Sequence, residues 1–266
     1  ILIFVLYMKQ LFYKYQGTGN DFVMIDNRKG VFDKQNIDLI AHLCNRRTGV
    51  GADGLILLES EQGYDFRMVY FNADGNESTM CGNGGRCIVA FAKFLGIIDK
   101  NTEFIAIDGP HLARIDKAYV ELKMQDVSTV NSNINYHILD TGSPHYVALQ
   151  SNLQAIDMNA EGSKIRHSTP FDASGINVNF AEKMNEDTFA IRTYERGVEG
   201  ETLSCGTGAT AVAIAMYHSN KTASKTINLK TQGGNLQVRF EPLESSYSDV
   251  WLCGPTKRVF KGDLEW

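Results

Sequence analysis

The chain has 266 residues, of which 43% are hydrophobic and 21% charged, the composition of a soluble globular protein long enough for two domains. With 26 Lys and Arg against 31 Asp and Glu it carries a net charge of −5 and no basic block, so neither nucleic acid nor an anionic membrane is an expected partner. Its 5 cysteines show no disulfide-framework spacing and Cys81-x5-Cys87 is not a zinc knuckle, so the chain reads as a cytoplasmic protein with no metal site.

Ile1 to Tyr7 is apolar and precedes Met8-Lys9-Gln10. It lacks a basic start and a small-residue cleavage site and is too short to span a bilayer, which predicts a start-site extension ahead of translation from Met8. Leu11–Tyr15 and Phe22–Asp26 read as strands around the turn Gly17-Thr18-Gly19-Asn20. Ile37, Ile40, Ala41 and Cys44 recur at helical spacing and predict a helix over 36–47 with Asn36 as its N-cap. Strand patterns follow at Leu55–Glu59 and Phe66–Phe71, then a turn over 72–76 and a helix from Cys81 to Gly96. Phe104–Ile107 and Tyr119–Met124 resume the strands, and the polar stretch Ser128–Asn135 reads as a linker. Beyond it, strands are expected at Tyr136–Leu139, Tyr146–Leu149, Ile176–Phe180, Phe189–Tyr194, Val238–Phe240 and Val250–Leu252, with a helix over 207–219.

Two segments match each other half a chain apart: Cys81-Gly82-Asn83-Gly84 and Cys205-Gly206-Thr207-Gly208. Each runs into an apolar stretch, and in the same register Tyr70 falls on Tyr194 and Phe22–Ile25 on Tyr146–Leu149. Three landmarks in one register predict two copies of one supersecondary plan. Both cysteine-led helices are apolar on nearly every face, so each is expected to be buried inside its own half.

A cysteine at a helix start lies among free backbone N–H groups that draw a thiol towards ionisation and receive a carboxylate. Two such thiols around one carbon acid form an acid/base pair: one removes an α-proton, the other returns a proton to the opposite face. Gly82, Asn83, Gly206 and Thr207 would supply N–H groups to the enediolate that develops. Glu195-Arg196, ahead of the second cysteine, offers a carboxylate for a substrate ammonium and a guanidinium for a substrate carboxylate. His145, in Gly142-Ser143-Pro144-His145, is placed to orient or activate a thiol. Asn20, Asn72 and Asn177 lie in or beside glycine-containing turns, where each is a turn former or a ligand contact.

From about Lys9 onward the chain resembles the diaminopimelate epimerases. The likeness rests on Gly17-Thr18-Gly19-Asn20-Asp21-Phe22, Gly49-x-Gly51-Ala52-Asp53-Gly54, Asn72-x-Asp74-Gly75 and Met80-Cys81-Gly82-Asn83-Gly84-x-Arg86-Cys87. It continues through Gly142-x-Pro144-His145-x-Val147, Gly175-x-Asn177-Val178-x-Phe180 and Tyr194-Glu195-Arg196-Gly197 to Cys205-Gly206-Thr207-Gly208. The resemblance implies an α/β protein of two pseudo-symmetric domains, each a mostly antiparallel sheet around a central apolar helix, with the active site in the cleft between them. The domains would be 1–127 plus 254–266, carrying Cys81, and 128–253, carrying Cys205. It implies a PLP-independent enzyme with no cofactor, usually a homodimer, interconverting L,L- and meso-2,6-diaminopimelate in lysine and peptidoglycan-precursor synthesis. By position, Cys81 and Cys205 are then the acid/base pair assisted by His145 and Glu195. Asn20, Asn72, Gly82, Asn83, Asn177, Glu195, Arg196, Gly206 and Thr207 contact substrate. Gly54 stands where many members have glutamine, and Ser143 where many have asparagine, which bears on how substrate is gripped. Proline and hydroxyproline racemases share this fold and two-thiol logic, and phenazine-biosynthesis isomerases share the fold without the cysteine pair. Arg196 beside Glu195 favours a substrate with a second amino-acid end over proline. A non-catalytic amino-acid-binding module is the alternative of a different class, and it would not exchange the substrate α-proton with solvent.

Overall fold

The computed structural model describes residues 9–265, so the apolar segment before Met8 and the expected start at Met8 lie outside the described residues. The chain forms two compact units. One runs to Met80, continues over Gly84–Ala118 and resumes at Thr256, and the other comprises Cys81–Asn83 and Tyr119–Pro255.

In the first unit, β1 (Lys9–Gly17) and β2 (Asn20–Asp26) form an antiparallel hairpin. Thr18 and Gly19 turn it with φ of 51° and 97°, the mirror-image turn whose twist suits paired strands. The Arg86 guanidinium, fully buried, donates to Thr18 Oγ1 at 3.0 Å and so ties the turn down. α1 (Ile37–Cys44) starts where the Asn36 side chain accepts the Leu39 N–H, and it buries Ile40, Leu43 and Cys44. β3 (Gly54–Glu59) runs parallel to β2, β4 (Arg67–Asn72) antiparallel to β3, and β5 (Glu77–Ser78) antiparallel to β4. The continuous apolar run Leu55–Leu58 is buried on both faces, which is why β3 shows no alternation. α2 (Gly82–Phe94) leads to β6 (Asn101–Ala106), parallel to β4, and β7 (Gly109–Asp116), antiparallel to β6. Gly96 ends the helix at φ 73° with its N–H on Lys93 O, while the Ile97 N–H reaches Ala92 O. The last strand, β18 (Lys257–Glu265), lies antiparallel to β1.

The second unit repeats the plan. β10 (His137–Asp140) and β11 (Pro144–Leu149) are antiparallel, and β12 (Asn177–Lys183) runs parallel to β11 across α3 (Met158–Arg166). β13 (Thr188–Glu195) is antiparallel to β12, and β14 (Gly200–Thr202) antiparallel to β13. α4 (Gly206–His218) then crosses to β15 (Thr226–Thr231), parallel to β13, with β16 (Gly234–Pro242) antiparallel to β15. Every step matches one in the first unit in order and direction, and one pair matches in register: Phe22 lies beside Gly54 as Tyr146 lies beside Val178. The hairpins differ in register, Tyr15 facing Phe22 where Leu139 faces His145, and so do the next pairs, Ile56 facing Tyr70 where Phe180 faces Arg192. The duplication read from the paired motifs is thus a duplication of topology.

β17 (Tyr247–Pro255) pairs with both β16 and β8 (Tyr119–Lys123). By packing, the compact units divide before β8, and the chain returns to the first unit at Thr256. The expected linker is corrected, because β9 (Val130–Ser132) lies inside it and pairs with β10. Its side chains stay largely exposed, so a strand there reads as a polar loop. Burial on nearly every face holds for α4, where Ala209 to Met216 are all buried. α2 is buried through Ala92 apart from a half-buried Ala90, but it ends on an exposed Phe94.

Candidate active site

Both cysteines stand immediately before a helix. Cys205 is the N-cap of α4, with extended backbone, and its Sγ accepts the Gly208 N–H at 3.4 Å. Cys81 precedes α2, whose first residues pack in the second unit. There the Asn83 amide donates to Ser204 O at 3.1 Å, tying the start of α2 to the residue ahead of Cys205. The two starts come together through glycine. A Cβ on Gly206 would lie 3.3 Å from Gly82 Cα, and a Cβ on either would lie 2.7 Å from Leu252 Cδ2. The first residues of the two helices thereby lie against each other, each with the free backbone N–H groups of a helix start.

The Cys205 thiol is buried, with 7% exposure. Burial, followed by the nearby Glu195 carboxylate, pushes it up to about 12 against the hydrogen bonds from Thr207 and Gly208, and Cys81 adds to the rise. Desolvation thus outweighs the pull of the helix start, and the resting group is a thiol.

Around Cys205 lies a buried polar cluster on β11, β12 and β13. His145 is wholly buried, and burial together with the Arg196 charge lowers it to about 3, so the imidazole is neutral. Its Nε2 is 3.1 Å from Ser143 Oγ and its Nδ1 3.0 Å from Asn179 Nδ2. Asn177 donates to Ser143 Oγ at 3.1 Å and accepts the Arg196 backbone N–H at 2.9 Å. Ser143 Oγ is 3.4 Å from Thr207 Oγ1, which is 3.4 Å from Cys205 Sγ. Thr141 holds the loop by donating to Thr207 O at 2.8 Å. Arg196 is half-buried, with Nη1 donating to Ser174 O at 3.0 Å. Asn179, Thr193 and Thr141 were not singled out in the sequence. Their signal is that Asn177 and Asn179, two apart on one strand, put amides on one face of an apolar run.

Asn20 and Asn72 belong to the first unit. The Asn20 amide donates to Asp53 Oδ2 at 3.0 Å, and Asp53 also takes Arg46 at 2.7 Å. Asp21 is ion-paired to Lys14 at 2.8 Å and to Arg46 at 2.6 Å. Burial alone would raise Asp21, but Arg46 and Lys14 hold it down to about 2. Asn72 is exposed, with its backbone closing the turn onto Asn76 and Gly75. At Gly54 a Cβ would meet Tyr70 Cε2 at 2.6 Å, so the Tyr70 ring fills the space a side chain there would need. Among the described residues, no group of three His, Cys, Asp or Glu is placed to hold a metal ion, and no helix is long and apolar enough to cross a membrane.

The fold is shared with solved structures. A phenazine biosynthesis protein of the PhzF family from Bacillus anthracis superposes with a TM-score of 0.74 at 14% identity, covering 97% of this chain and 99% of its own. A hydroxyproline epimerase from Agrobacterium vitis, solved with trans-4-hydroxy-L-proline, gives 0.66 at 14% identity over 97% of this chain and 92% of its own. These likenesses define the fold class: the two-unit α/β architecture common to such proteins, here with a cysteine capping the central helix. Sequence narrows it further. The profile described as diaminopimelate epimerase matches residues 12–118 and 137–252. The diaminopimelate epimerase of Flavobacterium psychrophilum is 56% identical over 94% of this chain and 98% of its own, and that of Chlorobaculum tepidum 42% identical over 93% and 98%. The chain belongs to the diaminopimelate epimerase family, a family of isomerases.

Proposed function

We propose that the chain interconverts L,L- and meso-2,6-diaminopimelate by two-base proton transfer between the Cys81 and Cys205 thiols, without PLP or any other cofactor. The observation that carries this reading is the convergence of the two cysteine-led helix starts at Gly82 and Gly206. A carboxylate against these N–H groups would keep its charge solvated as the α-proton leaves, the point at which stabilisation raises rate rather than mere binding. Gly82, Asn83, Gly206 and Thr207 receive the reacting carboxylate. Cys205, neutral at rest, is the group that delivers a proton. It becomes the base in the reverse direction, where Glu195 disfavours its thiolate and so makes it a stronger base once formed.

Asn20, Asn72, Asn177, Glu195 and Arg196 are assigned to substrate, with Glu195 for an ammonium and Arg196 for the distal carboxylate. His145 is buried and reaches Cys205 only through two hydroxyls, so it acts by positioning. The divisions 1–127 plus 254–266 and 128–253 are proposed as two epimerase halves built on one plan. A homodimer in the cytoplasm, serving lysine and peptidoglycan-precursor synthesis, completes the reading. Incubating the protein with L,L-diaminopimelate in D2O tests it. The account expects meso product deuterated at one α-carbon, with L-proline unchanged in parallel. Binding without exchange would make the chain a binding module instead.

A further inference from the structure

We infer that Ser143 and Thr207, aligned by His145, Asn177 and Asn179, form a one-way hydrogen-bond chain that delivers a hydroxyl hydrogen to Cys205 Sγ. The inference rests on reading Cys205 as a reacting thiol.

The direction of the chain follows from two backbone groups that have no choice of role. The Arg196 N–H can only donate, so the oxygen of Asn177 faces it at 2.9 Å and the amide nitrogen faces Ser143 Oγ at 3.1 Å. The Tyr146 carbonyl can only accept, so the Asn179 nitrogen faces it at 3.0 Å, and Thr193 Oγ1 donates to the Asn179 oxygen at 2.9 Å. That same Asn179 nitrogen lies 3.0 Å from His145 Nδ1, which must therefore accept. The imidazole proton is thereby placed on Nε2, 3.1 Å from Ser143 Oγ. Ser143 then accepts from two donors, so its own hydrogen points to Thr207 Oγ1 at 3.4 Å. Thr207 is left with its hydrogen for Cys205 Sγ, also at 3.4 Å. With the Gly208 N–H at 3.4 Å, the sulfur faces two donors among the described residues.

Two donors stabilise the thiolate, whereas the charges facing Cys205 oppose it. Glu195 at the end of β13 and Cys81 ahead of α2 both raise it, and Arg196 acts on His145 rather than on the sulfur in keeping that ring neutral. The chain thus lowers the cost of the thiolate when it forms, and does so without a proton leaving His145. Ser143, His145, Asn177 and Asn179 are positioning residues in this scheme, and Thr207 is the group that touches the reacting sulfur.

The test reads the thiol and not turnover, so its failure is distinct from failure of the epimerase reading. In Cys81→Ala protein, the rate of Cys205 alkylation by iodoacetamide at pH 8 is followed by peptide mass spectrometry. Loss of the last donor should lower the thiolate population, so Ser143→Ala and Thr207→Val should slow alkylation by about threefold to tenfold, where tenfold corresponds to about one pKa unit. Thr207→Ser, which keeps the hydroxyl, should stay within about twofold of the parent. A packing role alone predicts the opposite, because trimming side chains opens access and speeds alkylation. Rates at or above the parent in Thr207→Val, or Thr207→Ser as slow as Thr207→Val, overturn the inference. If Ser143→Ala does not fold, the Thr207 pair decides alone.

Discussion

Gly82 and Gly206 stand face to face, with a Cβ on Gly206 projected 3.3 Å from Gly82 Cα and 2.7 Å from Leu252 Cδ2. Leu252 can shift, but backbone can do so only by parting the two helix starts. Gly206→Ala should cost about 1–3 kcal/mol in urea unfolding and a larger factor in kcat. Adding Leu252→Ala should relieve the side-chain clash and not the backbone one. Full recovery of kcat in the double variant would mean that the spacing of the helix starts does not matter.

Cys81→Ala and Cys205→Ala should each abolish epimerisation, because inversion needs a group on both faces. Cys→Ser at either site should also be severe, since a serine hydroxyl is a far weaker acid. Racemisation assays by chiral chromatography measure this, and substantial turnover by either alanine variant contradicts the two-base scheme.

His145 sets an acid limit on stability. Its folded value, lowered to about 3, lies below the unfolded value near 6.5, so its contribution is complete above about pH 6.5 and is lost as pH falls towards 3. Unfolding free energy should drop by about 1.4 kcal/mol per pH unit on the steep part of that window. Asp21, held at about 2, contributes above the ordinary carboxylate range and loses its share only at lower pH, outside the interval 5 to 6. His145→Gln should be less stable at pH 7 yet lose this part of the slope. An unchanged slope between pH 5 and 6 would place the acid sensitivity elsewhere.

Specificity should depend on the far end of the substrate, since only one amino-acid centre reacts. Arg196→Met should cost on the order of a hundredfold in kcat/KM on diaminopimelate and shrink the preference over lysine, which lacks the second carboxylate. The Arg196 backbone N–H still holds Asn177 in that variant, so the buried cluster is retained. Undiminished discrimination would show that the distal carboxylate is read by another group.

The repeat was legible because each cysteine precedes a glycine at which a Cβ would strike Leu252, and because the apolar runs Leu55–Leu58 and Ala209–Met216 are buried all round. Asn36 announced α1 by its cap. α3 was not legible: Met158-Asn-Ala-Glu-Gly-Ser-Lys-Ile-Arg166 has few apolar positions, and Gly162 is there so that Tyr194 can pack against it. β7 and β18 were not expected as strands: exposed charges at Arg114, Asp116, Arg258 and Lys261 interrupt their apolar positions. In the site, Cys205 and His145 could be named from the chain, whereas their protonation states could not. Burial beside Glu195 and the forced orientation of Asn179 are tertiary facts. Asn20 was named as a substrate contact, but its amide is held by Asp53 through a pairing of loops distant in sequence.

If two thiols act on opposite faces of one carbon, the hydrogen removed on one face cannot be the one returned on the other, and isotope transfer in the first turnover reads this out. L,L-diaminopimelate with protium at the α-carbon is mixed with excess protein in D2O, and product and remaining substrate are separated before equilibrium. The account predicts that every meso molecule carries a solvent deuteron at the inverted centre, while unreacted substrate stays protiated. Meso product that keeps the original α-hydrogen would mean that one group both removes and returns it, and would contradict the account.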